Sequence, residues 1–368
     1  MRLFLAGDVM TGRGVDQILP YPGEPDLYEG YMKSALGYVS LAERASGPIP
    51  RPVAFDYVWG DALAELERRR PNARLINLET AVTSAGEPEP KGINYRMHPD
   101  NAPVISAAGI DCCVLANNHV LDWGAPGLLE TLRTLEGMDV TTVGAGRNAD
   151  EAGRPALLQV PDGRVVVFAL ASPTAGVPAS WAAGDEHAGV NYLPNLDMET
   201  AARIAARMRR YARPGDILVV SLHWGGNWGY EVPGAQRRFA RRLIDEAGAS
   251  IVWGHSSHHP KGIEVHNGGL ILYGCGDFLN DYEGIGGYEH YRGDLVLMYL
   301  PVVDPSERAL RRLTLVPFRI RRLRLERAGA GDTRWLADML DREGAQFDTR
   351  VEIEEDDTLS LVWDEMLC

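Results

Sequence analysis

Histidine and asparagine residues are concentrated in three short runs of this 368-residue chain. The runs read ANNHVLDWG from residue 116, SLHWG from residue 221 and WGHSSHHP from residue 253. They contain five of the nine histidines, namely His119, His223, His255, His258 and His259. Each run follows a short apolar stretch typical of a β-strand, and strands deliver side chains from their carboxyl ends into a shared crevice in α/β sheets. The clustering therefore indicates a metal site.

Two carboxylates occupy comparable positions after apolar stretches. Asp8 follows LFLAG, and Glu79 is the fourth residue of INLET. Taken singly, Asp8 after a glycine is typical of a tight turn, and Glu79 is typical of a carboxylate at the sheet rim. His223 alone would suit a hydrogen-bonded core histidine, and the paired asparagines would suit a helix cap. Taken together, these strand ends offer carboxylate, amide and imidazole groups in one series.

The combined groups match the preferences of transition-metal ions. Imidazole, carboxylate and amide oxygen suit Zn, Mn or Fe, whereas Mg and Ca prefer shells of oxygen alone. The three runs contain no cysteine, which argues against a structural zinc site. We expect one divalent ion, or two ions that share a bridging carboxylate and acidify a water. His119, if it is not a ligand, would protonate the leaving group, with Asp122 as its orienting partner.

Composition and charge limit the classes of function. The formal net charge is −14 and the sequence pI is near 5.1, which argues against a scaffold that binds nucleic acid through its phosphates. The hydrophobic fraction of 45% and the mean hydropathy of −0.18 are ordinary for a soluble globular protein. Neither a signal peptide nor a membrane-spanning stretch is apparent. The sequence therefore predicts a cytoplasmic protein with no nucleic-acid or membrane partner.

Short apolar stretches alternate with amphipathic helical patterns over most of the chain. Strands are predicted at Leu3–Ala6, Ala73–Asn77, Cys112–Ala116, Thr141–Val143, Val165–Ala171, Ile217–Leu222, Ile251–Trp253 and Leu270–Tyr273. Helices are predicted at Trp59–Arg69, Pro103–Ala108, Pro126–Gly137, Met198–Ala212 and Gly234–Gly248. This alternation predicts an α/β protein with helices on both sides of a sheet.

Two parts of the chain depart from this alternation. Pro20–Pro52 is rich in Pro, Gly and Tyr and predicts a long loop that forms a lid or a rim. Leu313–Leu325 carries arginines interleaved with apolar residues. Such a basic stripe would suit an acidic partner, but with Pro317 present the pattern favours a solvated edge strand.

The motif series resembles a known family. GDVM, NLET, ANNHVLDWG, SLHWG and GHSSHHPKGIE…LYGCGDFLND occur in the order typical of the capsule-synthesis CapA family, named for poly-γ-glutamate capsule production. That family is similar to the calcineurin-like metallophosphoesterases. The resemblance implies a four-layer α/β/β/α sandwich. Residues 1–300 would form the metallophosphoesterase-like CapA domain, and residues 301–368 would complete the same domain with strands and a helix.

The resemblance also implies roles for individual residues. The implied metal ligands are Asp8, Glu79 as the bridging carboxylate, Asn118, His223, His255 and His258. His119 would be the general acid, oriented by Asp122. Three departures from the phosphoesterase pattern favour a single ion as an alternative to two: Met10 replaces a histidine, Glu79 replaces an aspartate, and the closing histidines are spaced by two residues. His259 is an alternative to His258 as a ligand.

Further residues near these motifs are candidates for substrate binding. They are Lys91, Tyr95, Arg96, His98, Trp224 and Asn280. Lys91 and Arg96 offer a point charge and a guanidinium fork for carboxylate or phosphate. An ordinary polar loop is the alternative for KGINYRMHP, and core packing is the alternative for Trp224. Asp277, Asn280 and Asp281 suit hydrogen bonding to the metal-binding histidines, and a simple polar turn is the alternative for them.

The sequence therefore predicts a metal-dependent hydrolase of the CapA and metallophosphoesterase type. The activated water would attack a phosphoester or a γ-glutamyl or peptide amide in a small anionic or peptide substrate. One alternative is a non-catalytic binding or scaffold protein that retains the fold, which Met10 favours. The other is an amide-bond-forming tailoring enzyme, which would need a nucleotide, and no GxxxxGK[ST] motif is visible.

Overall fold

A computed structural model describes residues 1–364 of the chain. Residues 365–368, which end the predicted segment 301–368, lie outside the described residues. In the described part of the chain, the strands are β1 (Leu3–Val9), β2 (Ala73–Leu78), β3 (Ala81–Val82), β4 (Arg96–Met97), β5 (Cys112–Val114), β6 (Thr141–Val143), β7 (Ala145–Gly146), β8 (Ala156–Val160), β9 (Gly163–Ala171), β10 (Gly189–Val190), β11 (Asp216–His223), β12 (Ile251–His255), β13 (Ile263–His266), β14 (Gly269–Leu272), β15 (Asp277–Leu279), β16 (Leu295–Asp304), β17 (Ala309–Ile320), β18 (Leu325–Arg327), β19 (Thr349–Ile353) and β20 (Leu359–Trp363).

The helices connect these strands. Over residues 1–364 the α-helices are α1 (Arg13–Asp16), α2 (Leu36–Ser46), α3 (Ala62–Arg69), α4 (Pro103–Ala107), α5 (Gly124–Glu136), α6 (Ala149–Gly153), α7 (Met198–Arg209), α8 (Gly234–Ala247) and α9 (Ala330–Gly344). Short 3-10 turns lie at Tyr57–Trp59, Pro99–Asn101, Pro173–Ala175, Ala179–Trp181, Glu289–Tyr291 and Ala345–Phe347. None of the described helices is both long enough and apolar enough to cross a membrane.

Two large sheets organise the strands. The first has the order β19-β20-β17-β16-β1-β2-β5-β6, and in addition β15 pairs with β1 and β18 pairs with β17. The second has the order β13-β14-β12-β11-β9-β8. In the first sheet β1, β2, β5 and β6 run parallel, and in the second β9, β11, β12 and β14 do so. The carboxyl ends of these parallel strands provide the edges at which the candidate ligands lie.

The two faces of the second sheet belong to different buried clusters. Val167 and Val219 lie in the cluster that also contains the first sheet, whereas Val220, one residue further along β11, packs with Met208 of α7 and Phe239 of α8. This alternation follows from the two-residue period of a strand. The second sheet thus lies between the first sheet and a helical layer, and the predicted four-layer α/β/β/α sandwich is confirmed.

Strand β17 is not the predicted edge strand. It pairs with β16 on one side and with β18 and β20 on the other. The sequence pattern was misleading because the arginines point away from the core while the strand remains hydrogen-bonded on both sides. Pro317 is compatible with this position, since its carbonyl accepts hydrogen bonds from Ala328 and Arg327. The strands of the C-terminal segment therefore extend the first sheet.

The predicted loop at Pro20–Pro52 contains a helix. Helix α2 spans Leu36–Ser46 and buries Tyr38, Val39 and Ala42 against the rest of the chain. The prolines and glycines on either side of it dominate the composition, so the short amphipathic stretch between them gave only a weak signal. Part of the predicted rim is therefore anchored in the core.

Candidate metal centre

Three candidate ligands lie at or near the ends of strands, each in register with a residue of a paired strand. Asp8 lies near the end of β1, which continues to Val9 although the predicted strand ended at Ala6, and it is in register with Asp277 of β15. His223 ends β11 and is in register with His255 at the end of β12. These strands are longer than predicted because ladder pairing with their neighbours continues to the site. The ladders therefore fix the backbone beneath the candidate ligands.

The two sheets bring carboxylate and imidazole groups together. Asp8, Glu79 and His223 each offer a ligand atom, and these atoms lie within 4.8 Å of one another. Asp8 lies in β1 of the first sheet, and Glu79 directly follows β2 of the same sheet. His223 lies in β11 of the second sheet. All three side chains are buried. This group could hold a metal ion, and it lies between the two sheets.

Two more candidate ligands adjoin this group. The Asn118 Oδ1 atom lies 3.0 Å from the Nε2 atom of His223. The Nδ1 atom of His255 lies 3.1 Å from Asp8 Oδ1, but neither ring nitrogen of this fully buried histidine makes a hydrogen bond. A buried imidazole without hydrogen bonds is costly unless another group satisfies it. The mixed nitrogen and oxygen donors fit a divalent Zn, Mn or Fe ion.

The electrostatics of the group also fit a cation. Burial, together with the charges of Asp8 and Asp277, holds the pKa of Glu79 well above its usual range. Burial also favours a raised pKa for Asp8, but contact with His255 and the charge of His223 lower it to about 2. Burial lowers the pKa of His223 to about 3, so its imidazole is neutral. A neutral imidazole is the form that binds a metal, and a cation would offset the repulsion that raises the pKa of Glu79.

The third run of histidines contains one further candidate ligand and one structural residue. His258 Nδ1 lies 3.0 Å and 3.1 Å from the two carboxylate oxygens of Asp277, which leaves Nε2 for an ion or a substrate. His259 is different, because its Nε2 accepts from the Gly229 amide and its Nδ1 lies 3.0 Å from the Pro260 carbonyl. Both ring nitrogens of His259 are therefore occupied, so His258 is the better candidate ligand.

His119 and Asp122 form a buried pair beside the candidate ligands. His119 Nδ1 lies 2.6 Å from Asp122 Oδ2, and the His119 ring stacks on Tyr95 with a centroid distance of 3.8 Å. Lys91 donates to Asp122 Oδ1 at 2.7 Å and also to the Asn118 carbonyl. Burial lowers the pKa of His119 to about 4 despite the nearby Asp122 carboxylate. The pair orients the His119 ring and leaves its Nε2 without a partner among the described residues.

A cavity of about 790 Å³ opens onto this group. The predicted site residues that line it are Glu79, Lys91, Tyr95, Asn118, His119, His258 and Asn280. Asn280 also donates to Asp277 at 2.8 Å and thereby supports His258. The aromatic residues Trp228, Tyr282 and Tyr288 also line it. The cavity exceeds the volume of a single phosphoryl group and suits a larger substrate.

Three residues predicted to bind substrate lie elsewhere. Trp224 is buried in the cluster under α8 and donates its indole N–H to the Tyr273 carbonyl. The guanidinium of Arg96 lies 3.8 Å from the centre of the Trp123 ring, and the His98 ring accepts from the Asp100 amide. None of the three lines the described cavity, because the strand or loop that carries each one directs it into the core or along the surface. They are therefore not assigned to substrate binding.

Two polar residues of the site were missed in the sequence. Asn77 donates to Asp8 Oδ1 at 2.7 Å and accepts from Asn117, so it links the ends of β1, β2 and β5. Arg13 lines the cavity, but its guanidinium group forms ion pairs with Asp281 and Glu29. The NLET motif contained Asn77, whereas nothing in the local pattern around Arg13 distinguishes it from a surface arginine.

Comparisons with known proteins identify the family to which the chain belongs. The family model described as bacterial capsule synthesis protein PGA_cap matches residues 2–282. The probable polyglutamine synthesis accessory protein of Mycobacterium tuberculosis is 48% identical over 363 residues, which cover 98% of this chain and 95% of that protein. The PGA biosynthesis protein CapA of Bacillus subtilis is 28% identical over 277 residues, which cover 75% of this chain and 62% of that protein. The resemblance to CapA is thereby confirmed: the chain belongs to the bacterial capsule synthesis protein family, PGA_cap.

Proposed function

We propose that this protein is a metal-dependent hydrolase that cleaves γ-glutamyl or related peptide amides. The observation that carries the proposal is the buried group of Asp8, Glu79 and His223, which adjoins an imidazole without hydrogen bonds at His255. Hydrolysis is favoured over a structural role for the ion because the group opens onto a large cavity. Catalytic metal sites keep such access, whereas structural sites are closed.

The side chains around the site would have two roles, metal binding and proton transfer. Asp8, Glu79, Asn118, His223 and His255 would hold one divalent ion, and His258 would serve a second ion or the substrate. The ion would supply Lewis-acid polarisation of the scissile group and would acidify a water. His119 would transfer a proton to the leaving group from Nε2, while Asp122 holds its Nδ1 at 2.6 Å. Burial lowers the pKa of His119 to about 4, so the resting ring is neutral, and Nε2 would take up the proton released by the water before passing it to the leaving group.

The substrate class rests on the relatives and on the cavity. Two of the relatives are named for polyglutamine synthesis and for PGA biosynthesis. A chain of glutamate units offers both an amide to cleave and carboxylates to bind. Lys91, whose side chain is one quarter exposed, is the cation of the cavity wall nearest His119. The aromatic wall would contact the methylene groups of such a substrate.

A substrate comparison tests the proposal. Purified protein loaded with Mn or Zn should release glutamate or shorter chains from γ-glutamyl oligomers, and chelation should abolish the release. A generic phosphoester assayed in parallel distinguishes amide hydrolysis from phosphoester hydrolysis. Faster cleavage of the phosphoester would show that the scissile bond is a phosphoester and not an amide. Absence of turnover on either substrate by metal-loaded protein would contradict hydrolysis.

A binding protein without catalysis is the second candidate. It is favoured by the name of the mycobacterial relative, which describes an accessory protein, and by Met10. Met10 is buried near the end of β1, where its backbone N–H donates to the Leu279 carbonyl. A thioether is a poor ligand for a hydrolytic ion. Metal-loaded protein that binds γ-glutamyl oligomers but does not cleave them would favour this candidate.

A further inference from the structure

Helices α7 and α8 carry many arginines in a chain whose net charge is −14. Residues 198–213 and 234–247 contain nine arginines and only three carboxylates. The arginines are Arg203, Arg207, Arg209, Arg210, Arg213, Arg237, Arg238, Arg241 and Arg242. The carboxylates are Glu199, Asp245 and Glu246. The charge of this helical layer is therefore opposite to that of the protein as a whole.

Five of these nine arginines are exposed and the other four are half-buried. Helix α7 buries Ala201, Ala205 and Met208, and α8 buries Phe239 and Leu243 in the same apolar cluster. The apolar stripes of both helices face the second sheet, so the basic stripes face outward. The two helices pack against each other. Their outer side thus forms one basic surface, which we call the α7–α8 face.

Some of these arginines are already engaged. Arg241 pairs with Glu264 at 2.5 Å, and Arg242 pairs with Glu246 at 2.6 Å. Arg207 donates to the backbone carbonyl of Gly153. These contacts satisfy only part of the excess positive charge.

Three other arginines of this face are not paired with a carboxylate in the described part of the chain. Arg203, Arg210 and Arg238 form no ion pair with a carboxylate among residues 1–364, although Arg203 interacts electrostatically with Asp197 at the start of α7. Arg203, Arg210 and Arg238 are all exposed. Clusters of unpaired positive charge attract anionic ligands over a distance of several ångströms.

A cleft of about 540 Å³ runs beside α7 and is separate from the cavity at the metal centre. Arg203, Arg207 and Arg210 line it together with Asn191 and Tyr211. It also contains one carboxylate, Asp150, which is paired with Arg154. The three arginines are spaced by four and three residues, which places them on one side of the helix. The cleft wall therefore presents a row of guanidinium groups.

The spacing of this row suits an extended chain of carboxylates. A helix rises about 1.5 Å per residue, so the arginines are separated by roughly 6 Å and 4.5 Å along the axis. In an extended polypeptide, side chains on the same side recur about every 6.7 Å. A guanidinium group also binds a carboxylate through two parallel hydrogen bonds. Flexible arginine side chains accommodate the remaining mismatch in spacing.

We propose that the α7–α8 face is a second binding site, whose ligand is an extended acidic polypeptide chain. The cleft presents a single row of guanidinium groups, which matches one extended chain, whereas a nucleic-acid duplex or a bilayer needs a broad basic surface. The acidic remainder of this protein repels such large polyanions. The proposed hydrolase function is not required for this binding, because the cleft shares no residue with the metal centre.

Binding of fluorescently labelled poly-L-glutamate tests the proposal, with EDTA present so that no metal contributes. The triple variant Arg203→Gln, Arg210→Gln and Arg238→Gln removes charges that form no ion pair among residues 1–364. A matched variant, Arg133→Gln, Arg334→Gln and Arg350→Gln, removes three exposed arginines from other surfaces. Anisotropy titrations give the Kd, and thermal unfolding checks that both variants are folded.

If the α7–α8 face binds the chain, the triple variant should bind poly-L-glutamate about tenfold more weakly than wild type, whereas the Kd of the matched variant should stay close to that of wild type. Affinity should also fall when NaCl is raised from about 50 mM to about 200 mM. Equal binding by the triple variant and wild type would overturn the site. Tighter binding of oligothymidylate or of phosphatidylserine vesicles would overturn the choice of ligand. Because metal is absent throughout, these outcomes do not depend on hydrolysis.

Discussion

At the scale of single residues, histidines that are neighbours in sequence differ in the partners that surround them. His259 uses both ring nitrogens to hold the loop, through Gly229 and Pro260. His255, four residues earlier, is fully buried and makes no hydrogen bond from either nitrogen. An unsatisfied buried imidazole is unfavourable, so His255 is expected to be completed by an ion. The state of the ring nitrogens thus distinguishes a structural histidine from a candidate ligand.

The roles of His223 and His119 predict opposite effects of substitution on metal content. His223→Ala removes a donor from the buried group, so metal affinity should fall by at least about tenfold. His119→Ala should retain the metal but lose turnover, because its Nδ1 is bound to Asp122 and not to a candidate ligand. Elemental analysis of both purified variants measures this difference. Equal metal content in wild type and His223→Ala would contradict the assignment.

Substitution of Asp277 is expected to act through His258, the side chain that it orients. Its carboxylate holds His258 Nδ1 at 3.0 Å and accepts from Asn280 at 2.8 Å. Asp277→Asn should weaken the orientation of His258 and lower metal affinity or turnover by about 10–100-fold. Calorimetric titration with Mn or Zn measures the affinity. Unchanged affinity and turnover would show that His258 does not depend on this carboxylate.

At the scale of elements, the site depends on how closely strands and turns approach one another. A Cβ atom on Gly7 would lie 1.8 Å from the carbonyl oxygen of Gly276, just before β15. The Asp8 amide donates to that same carbonyl at 2.9 Å. Glycine is therefore required here by the close approach of two backbones, and this approach positions Asp8.

Gly7→Ala tests the importance of that approach. The added methyl group should force β1 and the Gly276 turn apart and should lower the free energy of unfolding by about 1–3 kcal/mol or more. Metal affinity should fall as well, because Asp8 moves with β1. Gly30→Ala is the control, since a Cβ there would meet no atom within 4 Å. Urea unfolding measures both variants, and equal stability would contradict the packing argument.

At the scale of the whole molecule, the candidate ligands join the two sheets. Asp8 and Glu79 belong to the first sheet and the chain that leaves it, whereas His223 and His255 belong to the second. Between the sheets, the Trp253 indole also donates to the Ala6 carbonyl at 2.9 Å. An ion bound by residues of both sheets would oppose their separation. Metal binding is therefore expected to be coupled to global stability.

Metal removal should lower the stability of the protein. An ion that binds only the folded state stabilises it by about 2.7 kcal/mol when free metal is at 100 times its Kd. Thermal unfolding with added Mn or Zn should therefore occur at a higher Tm than unfolding with EDTA. The His223→Ala variant should show a much smaller difference between the two conditions. A Tm that does not respond to metal in wild type would argue against a buried site.

The elements and the residue types of the site were predictable from local patterns. Apolar runs ending in Asp8, His223 and His255 predicted strand ends that carry ligands, and the motif order predicted the family. Such signals are local, because a strand of period two and a histidine at its end are read within a few residues. The same locality explains why α2 was missed between its flanking prolines and glycines.

Only the tertiary structure decided which of these side chains meet. Glu79 and His223 are 144 positions apart in sequence, and their approach depends on how the two sheets stack. The same packing sends Trp224 into the core, occupies both nitrogens of His259 and leaves those of His255 without hydrogen bonds. It also pairs β17 on both sides despite its arginines. Residue chemistry is encoded along the chain, but distances between side chains arise from contacts between elements that are remote in sequence.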